Sequence, residues 1–192
     1  MNMEINPSEY KILIVDDVMS NVLLLKVLLT NEKFAIATAN NGRQALEQVD
    51  KERPDLLLLD VMMPDLSGFE VAQRLKSNPD TADIPIIFLT ALNSTTDIVK
   101  GFQAGASDFI SKPFNKEELI IRVTHQISLV AAKRIILNKT EELQRIIAGR
   151  DKLYSVIAHD LRSPMGSIKM VLNMLMLNLP VEKIGAEMYE LL

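Results

Sequence analysis

The sequence predicts an α/β fold, a doubly wound five-stranded parallel sheet followed by a long helical segment. Residues 8–128 alternate apolar, β-rich runs with helical patterns, as chains of βα units do. The β-rich runs are almost continuously apolar, which indicates strands that are covered on both faces. After residue 128 no strand pattern recurs, and a helical pattern continues to residue 178.

The predicted elements follow one another in regular alternation. Strands are expected at residues 11–16, 34–39, 55–60, 84–90 and 107–111. Helices are expected at residues 20–31, 43–52, 68–77, 95–103 and 115–128. Ser67 with Glu70, and Asn115 with Glu118, have the spacing of capping boxes at helix starts. Five such βα units indicate a flavodoxin-like sheet with the strand order 2-1-3-4-5.

The segment after residue 128 has a heptad pattern. Its seam positions are Ile136, Thr140, Leu143, Ile147, Arg150, Tyr154, Ile157, Leu161, Pro164, Ile168, Val171 and Leu175. Most of them are apolar, which is typical of a coiled coil or helical hairpin. Because so apolar a seam is unfavourable in water, we expect a parallel homodimer through residues 129–178. Leu179-Pro180 should end the helix.

Composition limits the class of protein. The 192 residues are 48% hydrophobic, carry a formal net charge of −4 and include no cysteine. No apolar run approaches the roughly 18 residues of a membrane-spanning helix, and the start of the chain lacks a signal-peptide pattern. Disulfides and thiolate metal sites are excluded, and the net charge argues against nucleic acid as the main partner. This composition is typical of a soluble cytoplasmic protein.

Acidic residues end two strands that should be neighbours in this sheet. Asp16 and Asp17 follow the first strand, and Asp60 ends the third. At the carboxyl ends of these strands the order of the sheet reverses, and ligands bind at such switch points. Three carboxylates repel one another, so a hard divalent cation is expected there, and Mg²⁺ fits best. Thr90 and Lys112 add a hydroxyl and an ammonium group, which phosphoryl transfer to an aspartate also needs.

Four motifs within residues 10–128 resemble the response-regulator receiver family, whose fold is called CheY-like. The motifs are Val15-Asp16-Asp17, Leu59-Asp60-Val61-Met62-Met63-Pro64, Leu89-Thr90-Ala91 and Asp108-Phe109-Ile110-Ser111-Lys112-Pro113-Phe114. The resemblance implies that Asp60 is the phosphoacceptor, supplied by an upstream kinase or phosphotransfer protein. It implies that Asp17, Asp60 and the backbone carbonyl of Met62 bind Mg²⁺, with Asp16 acting directly or through water.

The same resemblance implies roles for the residues around the acceptor. Lys112 would pair with the phosphoryl oxygens, and Thr90 would move to hydrogen-bond one of them. Phe109 takes the place of the aromatic switch residue, and its two positions must differ by packing because it has no hydroxyl. The Lys112-Pro113 peptide bond is expected to be cis, as is usual in the family.

A second candidate phosphoacceptor lies in the helical segment. His159 falls at the outer f position of the heptad, so its imidazole should be exposed and able to attack a phosphorus atom. Asp160 beside it could take the proton or hold the other ring nitrogen. Residues 151–169 resemble the phosphoacceptor box of sensor histidine kinases. That resemblance implies His159 as the phosphorylated residue and Asp160 as the acid/base, and it leaves a phosphatase role of Ser163 open.

Together the two resemblances predict the amino-terminal part of a hybrid histidine kinase. It would consist of a receiver domain (8–128), a coiled-coil linker (129–150) and an incomplete dimerisation and phosphoacceptor domain (151–192), with the receiver regulating the helix that carries His159. An ATP-binding kinase domain is expected beyond Leu192. Without it we expect no self-phosphorylation from ATP, because the sequence has no nucleotide-binding loop.

Two alternatives remain open. The first is a response regulator whose helical output dimerises or binds a partner and has no kinase activity. The second is a phosphorelay intermediate in which Asp60 and His159 exchange a phosphoryl group without ATP.

Overall fold

A computed structural model describes residues 5–91 and 95–178 and confirms the predicted alternation of strands and helices. The strands are β1 (Lys11–Val15), β2 (Ala35–Ala39), β3 (Leu56–Asp60), β4 (Ile86–Thr90) and β5 (Asp108–Ser111). The helices are α1 (Met19–Asn31), α2 (Gly42–Glu52), α3 (Gly68–Ser77), α4 (Thr95–Gln103) and α5 (Lys116–Asn178).

The five strands form one parallel sheet in the predicted order, β2-β1-β3-β4-β5. β1 lies between β2 and β3, so that Leu13 is paired with Ala37 on one side and Leu57 on the other. In a parallel sheet the carboxyl ends of all strands lie at the same end of the sheet. This strand order therefore brings the carboxyl ends of β1 and β3 together.

Each face of the sheet has its own hydrophobic core, because successive residues of a strand point to opposite faces. Ile12 and Ile14 of β1 pack with buried residues of α1 and α5. Leu13 and Val15 pack with buried residues of α2 and α3 on the other face. All residues of β3 are buried, which explains why the strand is apolar throughout up to Asp60.

Side chains cap the helices where the sequence predicted. Ser67 and Glu70 form a capping box at the start of α3, with each side chain accepting the other residue's backbone N–H. At the start of α5, the Asn115 side chain accepts the backbone N–H of Glu118 at 2.8 Å. These bonds satisfy donors that have no partner in the first turn of a helix.

The last helix runs from Lys116 to Asn178, so the helix predicted at residues 115–128 and the helical pattern predicted after it form one continuous element. Residue contacts divide the chain between residues 135 and 136. Before this division, α5 presents buried side chains at four-residue spacing, at Leu119, Val123, Ile127 and Ala131. Lys133 pairs with Asp83 at 2.7 Å, and Arg134 pairs with Asp55. The packed part of α5 therefore extends beyond residue 128.

Residues 136–178 form a separate helical unit whose large apolar side chains are exposed. They are Ile136, Leu137, Leu143, Ile146, Ile147, Leu153, Tyr154, Val156, Ile157, Leu161, Met165, Ile168, Met170, Leu172 and Leu175. In the part of the chain that the structure describes, no helix has the length and apolar character needed to cross a membrane. Residues 179–192, with the predicted helix end at Leu179-Pro180, lie outside the described residues.

Candidate functional site

A cluster of three carboxylates lies at the carboxyl ends of β1 and β3, where the sequence predicted it. Asp16 and Asp17 follow β1 directly, Asp60 is the last residue of β3, and one oxygen of each lies within 4.8 Å of the others. Asp16 and Asp60 are buried, and Asp17 is exposed. We refer to these three residues as the carboxylate cluster.

Asp16 is held from several directions. Its side chain is fully buried, and its Oδ1 accepts the backbone N–H of Val18 at 2.9 Å. The Nδ2 of Asn21 lies 3.1 Å from both Oδ1 and Oδ2. Lys112 donates to Oδ2 at 2.8 Å. A buried carboxylate is tolerated when it is paired and hydrogen-bonded, and these donors meet that requirement.

Lys112 bridges two members of the carboxylate cluster. Its Nζ is 2.8 Å from Asp16 Oδ2 and 3.0 Å from Asp60 Oδ2. Burial acts to lower the pKa of Lys112, but the hydrogen bonds to Asp16 and Asp60, together with the negative charges of these carboxylates, raise it. The pKa of Asp60 is raised as well, because burial and the negative charge of Asp16 together outweigh the lowering effect of Lys112. The ammonium therefore stays charged between the two buried carboxylates.

The cluster has the composition of a site for a hard divalent cation. Three carboxylates face one ammonium group, which leaves excess negative charge in a partly buried pocket. All the offered ligand atoms are carboxylate oxygens, which Mg²⁺ prefers over nitrogen or sulfur ligands. The residues present therefore fit the predicted Mg²⁺. Met62, whose backbone carbonyl was a further predicted ligand, donates its N–H to Asp60 Oδ1 at 3.4 Å.

The two predicted switch residues lie on β4 and β5. Thr90 is buried at the end of β4. Phe109 on β5 is half-buried, and its ring packs against Phe88 and Phe102 at centroid distances of 5.9 and 4.9 Å. The peptide bond between Lys112 and Pro113 is cis, as predicted.

We predict that Lys112→Met destabilises the metal-free receiver by about 2–3 kcal/mol, because two buried carboxylates lose their common cation. Added Mg²⁺ should raise the melting temperature of this variant more than that of the parent protein, since a cation replaces the missing charge. Thermal unfolding with and without Mg²⁺ measures both effects. As a control, Lys26→Met removes an exposed lysine on α1 and should change stability by less than about 0.5 kcal/mol. Equal losses in the two variants would contradict this account.

His159 and Asp160 belong to the helical unit. The His159 side chain is 83% exposed, and its Nδ1 lies 3.4 Å from Asp160 Oδ1. The side chain of Ser163 lies outside the described residues.

Sequence reasoning missed Asn21. It lies in the first turn of α1, five residues after Asp16, so the helix that follows β1 brings its amide back to the carboxylate. A short polar side chain one turn into a helix that follows an acidic strand end is a signal that could have identified it.

The family model described as the response regulator receiver domain matches residues 12–124. "Response regulator PleD" of Caulobacter vibrioides is 42% identical over 140 residues, which cover 73% of this chain and 30% of that protein. "DNA-binding response regulator MtrA" of Mycobacterium tuberculosis is 42% identical over 113 residues, which cover 59% of this chain and 48% of that protein. The matched region thus spans less than half the length of either relative.

Solved structures resemble the same region. A putative response regulator from Chloroflexus aurantiacus has a TM-score of 0.60 and 34% identity, and the match covers 62% of this chain and 98% of that one. The signal receiver domain of a signal transduction histidine kinase from Syntrophus aciditrophicus has a TM-score of 0.59 and 36% identity, covering 62% of this chain and 90% of that one.

Proposed function

The chain belongs to the response regulator receiver family, and from this membership we propose that it acts in two-component signalling with Asp60 as its phosphoacceptor. The observation that carries the proposal is the meeting of the carboxylate cluster with Lys112 at the carboxyl ends of β1 and β3. Together these residues offer a nucleophile, oxygen ligands for a cation and a positive charge. Phosphoryl transfer to a carboxylate needs all three.

Phosphoryl acceptance here is a substitution at phosphorus. An oxygen of Asp60 would form the new bond to phosphorus while the bond to the donor's leaving atom breaks and its electron pair leaves with the donor. Bound Mg²⁺, held by the carboxylate cluster and the carbonyl of Met62, would offset the charge of the phosphoryl group. Lys112 can exchange a carboxylate contact for a phosphoryl oxygen. The hydroxyl of Thr90, at the end of β4, would donate a hydrogen bond to another phosphoryl oxygen.

Acetyl phosphate, a small acyl phosphate, provides the test. With Mg²⁺ present, mass spectrometry should find one phosphoryl group on the peptide that contains Asp60. With EDTA in place of Mg²⁺, we expect no modification. Modification that is equally fast in EDTA, or that maps to another residue, would overturn the proposal.

We further propose that the helical unit carries a second acceptor, His159, which the receiver regulates. The exposed imidazole, the neighbouring carboxylate of Asp160 and the motif Ala158-His159-Asp160-Leu161-Arg162-Ser163-Pro164 support this. The imidazole would attack the γ-phosphorus of ATP bound to a separate kinase domain, with ADP as the leaving group. The helical unit offers no nucleotide-binding loop in its sequence, so the chain alone should not use ATP.

A response regulator with a helical dimerising or partner-binding output remains the alternative, and the two relatives, both response regulators, keep it open. Supplying a histidine-kinase ATP-binding domain with labelled ATP distinguishes the two functions. Acid-labile phosphate on the parent protein, absent from a His159→Ala variant, supports the kinase hypothesis. No label on either protein supports the alternative.

We predict a parallel homodimer through residues 129–178, because the exposed apolar seam is larger than a monomeric helix can leave in water. Light scattering at tens of micromolar protein should give the mass of a dimer. Ile147→Asp places a charge in the seam and should raise the dissociation constant at least about tenfold. Lys152→Asp, at an outer f position, is the matched control and should leave the dimer intact. A monomeric parent protein would contradict the prediction.

A further inference from the structure

The side-chain amide of Asn21 contacts both oxygens of the Asp16 carboxylate. Its Nδ2 lies 3.1 Å from Oδ1 and 3.1 Å from Oδ2. An ionised carboxylate only accepts hydrogen bonds, so the amide nitrogen and not the amide oxygen must face it. Equal distances place this nitrogen between the two oxygens, which is where a cation would lie if it bound both of them.

The other two donors to Asp16 differ in how easily they can move away from its oxygens. The N–H of Val18, 2.9 Å from Oδ1, belongs to the backbone at the start of α1 and cannot leave without disturbing that helix. Lys112, 2.8 Å from Oδ2, is a long side chain that already shares its ammonium with Asp60. With Asn21 in place, moving the Lys112 side chain can therefore expose only Oδ2 to a cation, or to a water molecule bound to one.

The difference between one and two oxygens matters for the choice of cation. Ca²⁺ takes six to eight oxygen ligands and readily accepts both oxygens of a carboxylate. Mg²⁺ requires a compact octahedron and binds carboxylates through single oxygens, with water completing its shell. We infer that Asn21 is a positioning residue that restricts Asp16 to one oxygen and thereby sets the preference of the site for Mg²⁺ over Ca²⁺. The inference rests on the metal-assisted phosphoryl acceptance proposed above.

A purely structural role of Asn21 makes a different prediction. If Asn21 only held the start of α1 in place, its loss would distort the cluster and weaken both cations alike. If the orienting amide alone is lost, a single fixed donor, the N–H of Val18, remains on Oδ1, and the carboxylate can turn to offer both oxygens to a cation. That change should weaken Mg²⁺ binding, whereas for Ca²⁺ the second carboxylate oxygen should compensate for the lost orientation. The ratio of the two affinities therefore distinguishes a positioning role of Asn21 from a purely structural one.

The test is calorimetric titration of the full chain with MgCl₂ and with CaCl₂. In Asn21→Ala, the Mg²⁺ dissociation constant should rise about tenfold, as is common when a partner of a metal ligand is removed. The Ca²⁺ dissociation constant should change by less than about twofold, so that the preference for Mg²⁺ shrinks. Ser20→Ala, an exposed neighbour in the same helical turn, should change neither constant. Asn21→Ser serves as a second variant if the alanine variant does not fold.

Kinetics provide a second readout. With acetyl phosphate, Asn21→Ala should need more Mg²⁺ for half-maximal phosphorylation, while its rate at saturating Mg²⁺ stays within about twofold of the parent, because Asn21 acts through Asp16. Equal weakening of both cations, or no change in either, would overturn the inference while leaving the proposed function intact. A parent protein that binds neither cation would overturn both.

Discussion

Asp60→Asn should abolish phosphoryl acceptance from acetyl phosphate while the receiver remains folded. Asparagine has nearly the same shape as aspartate and can still accept the hydrogen bond that Lys112 makes at 3.0 Å. Its neutral amide, however, lacks the anionic oxygen that attacks phosphorus and ligates a cation. Intact-mass spectrometry in the presence of Mg²⁺ should therefore show no phosphoryl group, and circular dichroism should show an unchanged fold.

A matched control lies five residues away. Asp65 is exposed and has a positive φ of 68°, a conformation that asparagine tolerates well, so Asp65→Asn should fold and accept phosphate as the parent does. Asp17→Asn should reduce the extent of modification without preventing it at high Mg²⁺, because one of the predicted cation ligands is lost. Full modification of Asp60→Asn would refute the assignment of the acceptor.

The second large effect is expected at Gly68, the first residue of α3. A Cβ at this position would overlap the backbone carbonyl oxygen of Asp60 and lie 3.0 Å from the Cα of Val61. Both obstacles are backbone atoms at the end of a buried strand, so a side-chain rotation cannot relieve them. Gly68→Ala should therefore destabilise the receiver by about 3 kcal/mol and slow phosphorylation by displacing Asp60. Urea unfolding and the acetyl phosphate assay measure the two effects.

Gly166 is the comparison for this substitution. An added Cβ there meets nothing within 4 Å, and the residue lies inside α5. Gly166→Ala should stabilise the helical unit by about 0.5–1 kcal/mol through helix propensity alone. Similar stability changes for the two alanine variants would show that the close approach at Gly68 is unimportant.

The parts of the fold that could be predicted are those with a local signal. The strands were recognisable because a sheet covered on both faces requires nearly continuous apolar runs, as in β3. The strand order then placed Asp16 and Asp60 side by side, and so made the carboxylate cluster predictable from the two strand ends. The capping box of Ser67 and Glu70 was predictable for the same reason, since both partners lie in one helical turn.

Contacts that depend on side-chain direction or on distant partners were not predictable in the same way. The helical pattern to residue 178 was predicted, but the point at which α5 stops packing against the sheet was not, because no glycine or proline separates the patterns on the two sides of residue 128. Only the burial of Ala131 and the ion pair of Lys133 with Asp83 show that this packing extends beyond residue 128. Asn21 was missed because its amide acts on Asp16 only when α1 starts at Met19 and turns it toward the carboxylate.

The sequence by itself determined the class of fold and the acidic residues that end β1 and β3, because continuous apolar strands and the residues that end them are local signals. The strand order followed from the number of βα units. Only the tertiary structure decided that Lys112 lies between Asp16 and Asp60 and that the amide of Asn21 contacts the Asp16 carboxylate. It also decided that the backbone of Asp60 leaves no room for a Cβ at Gly68. The physical reason is that distances of a few ångströms between side chains from different elements are set by how those elements pack.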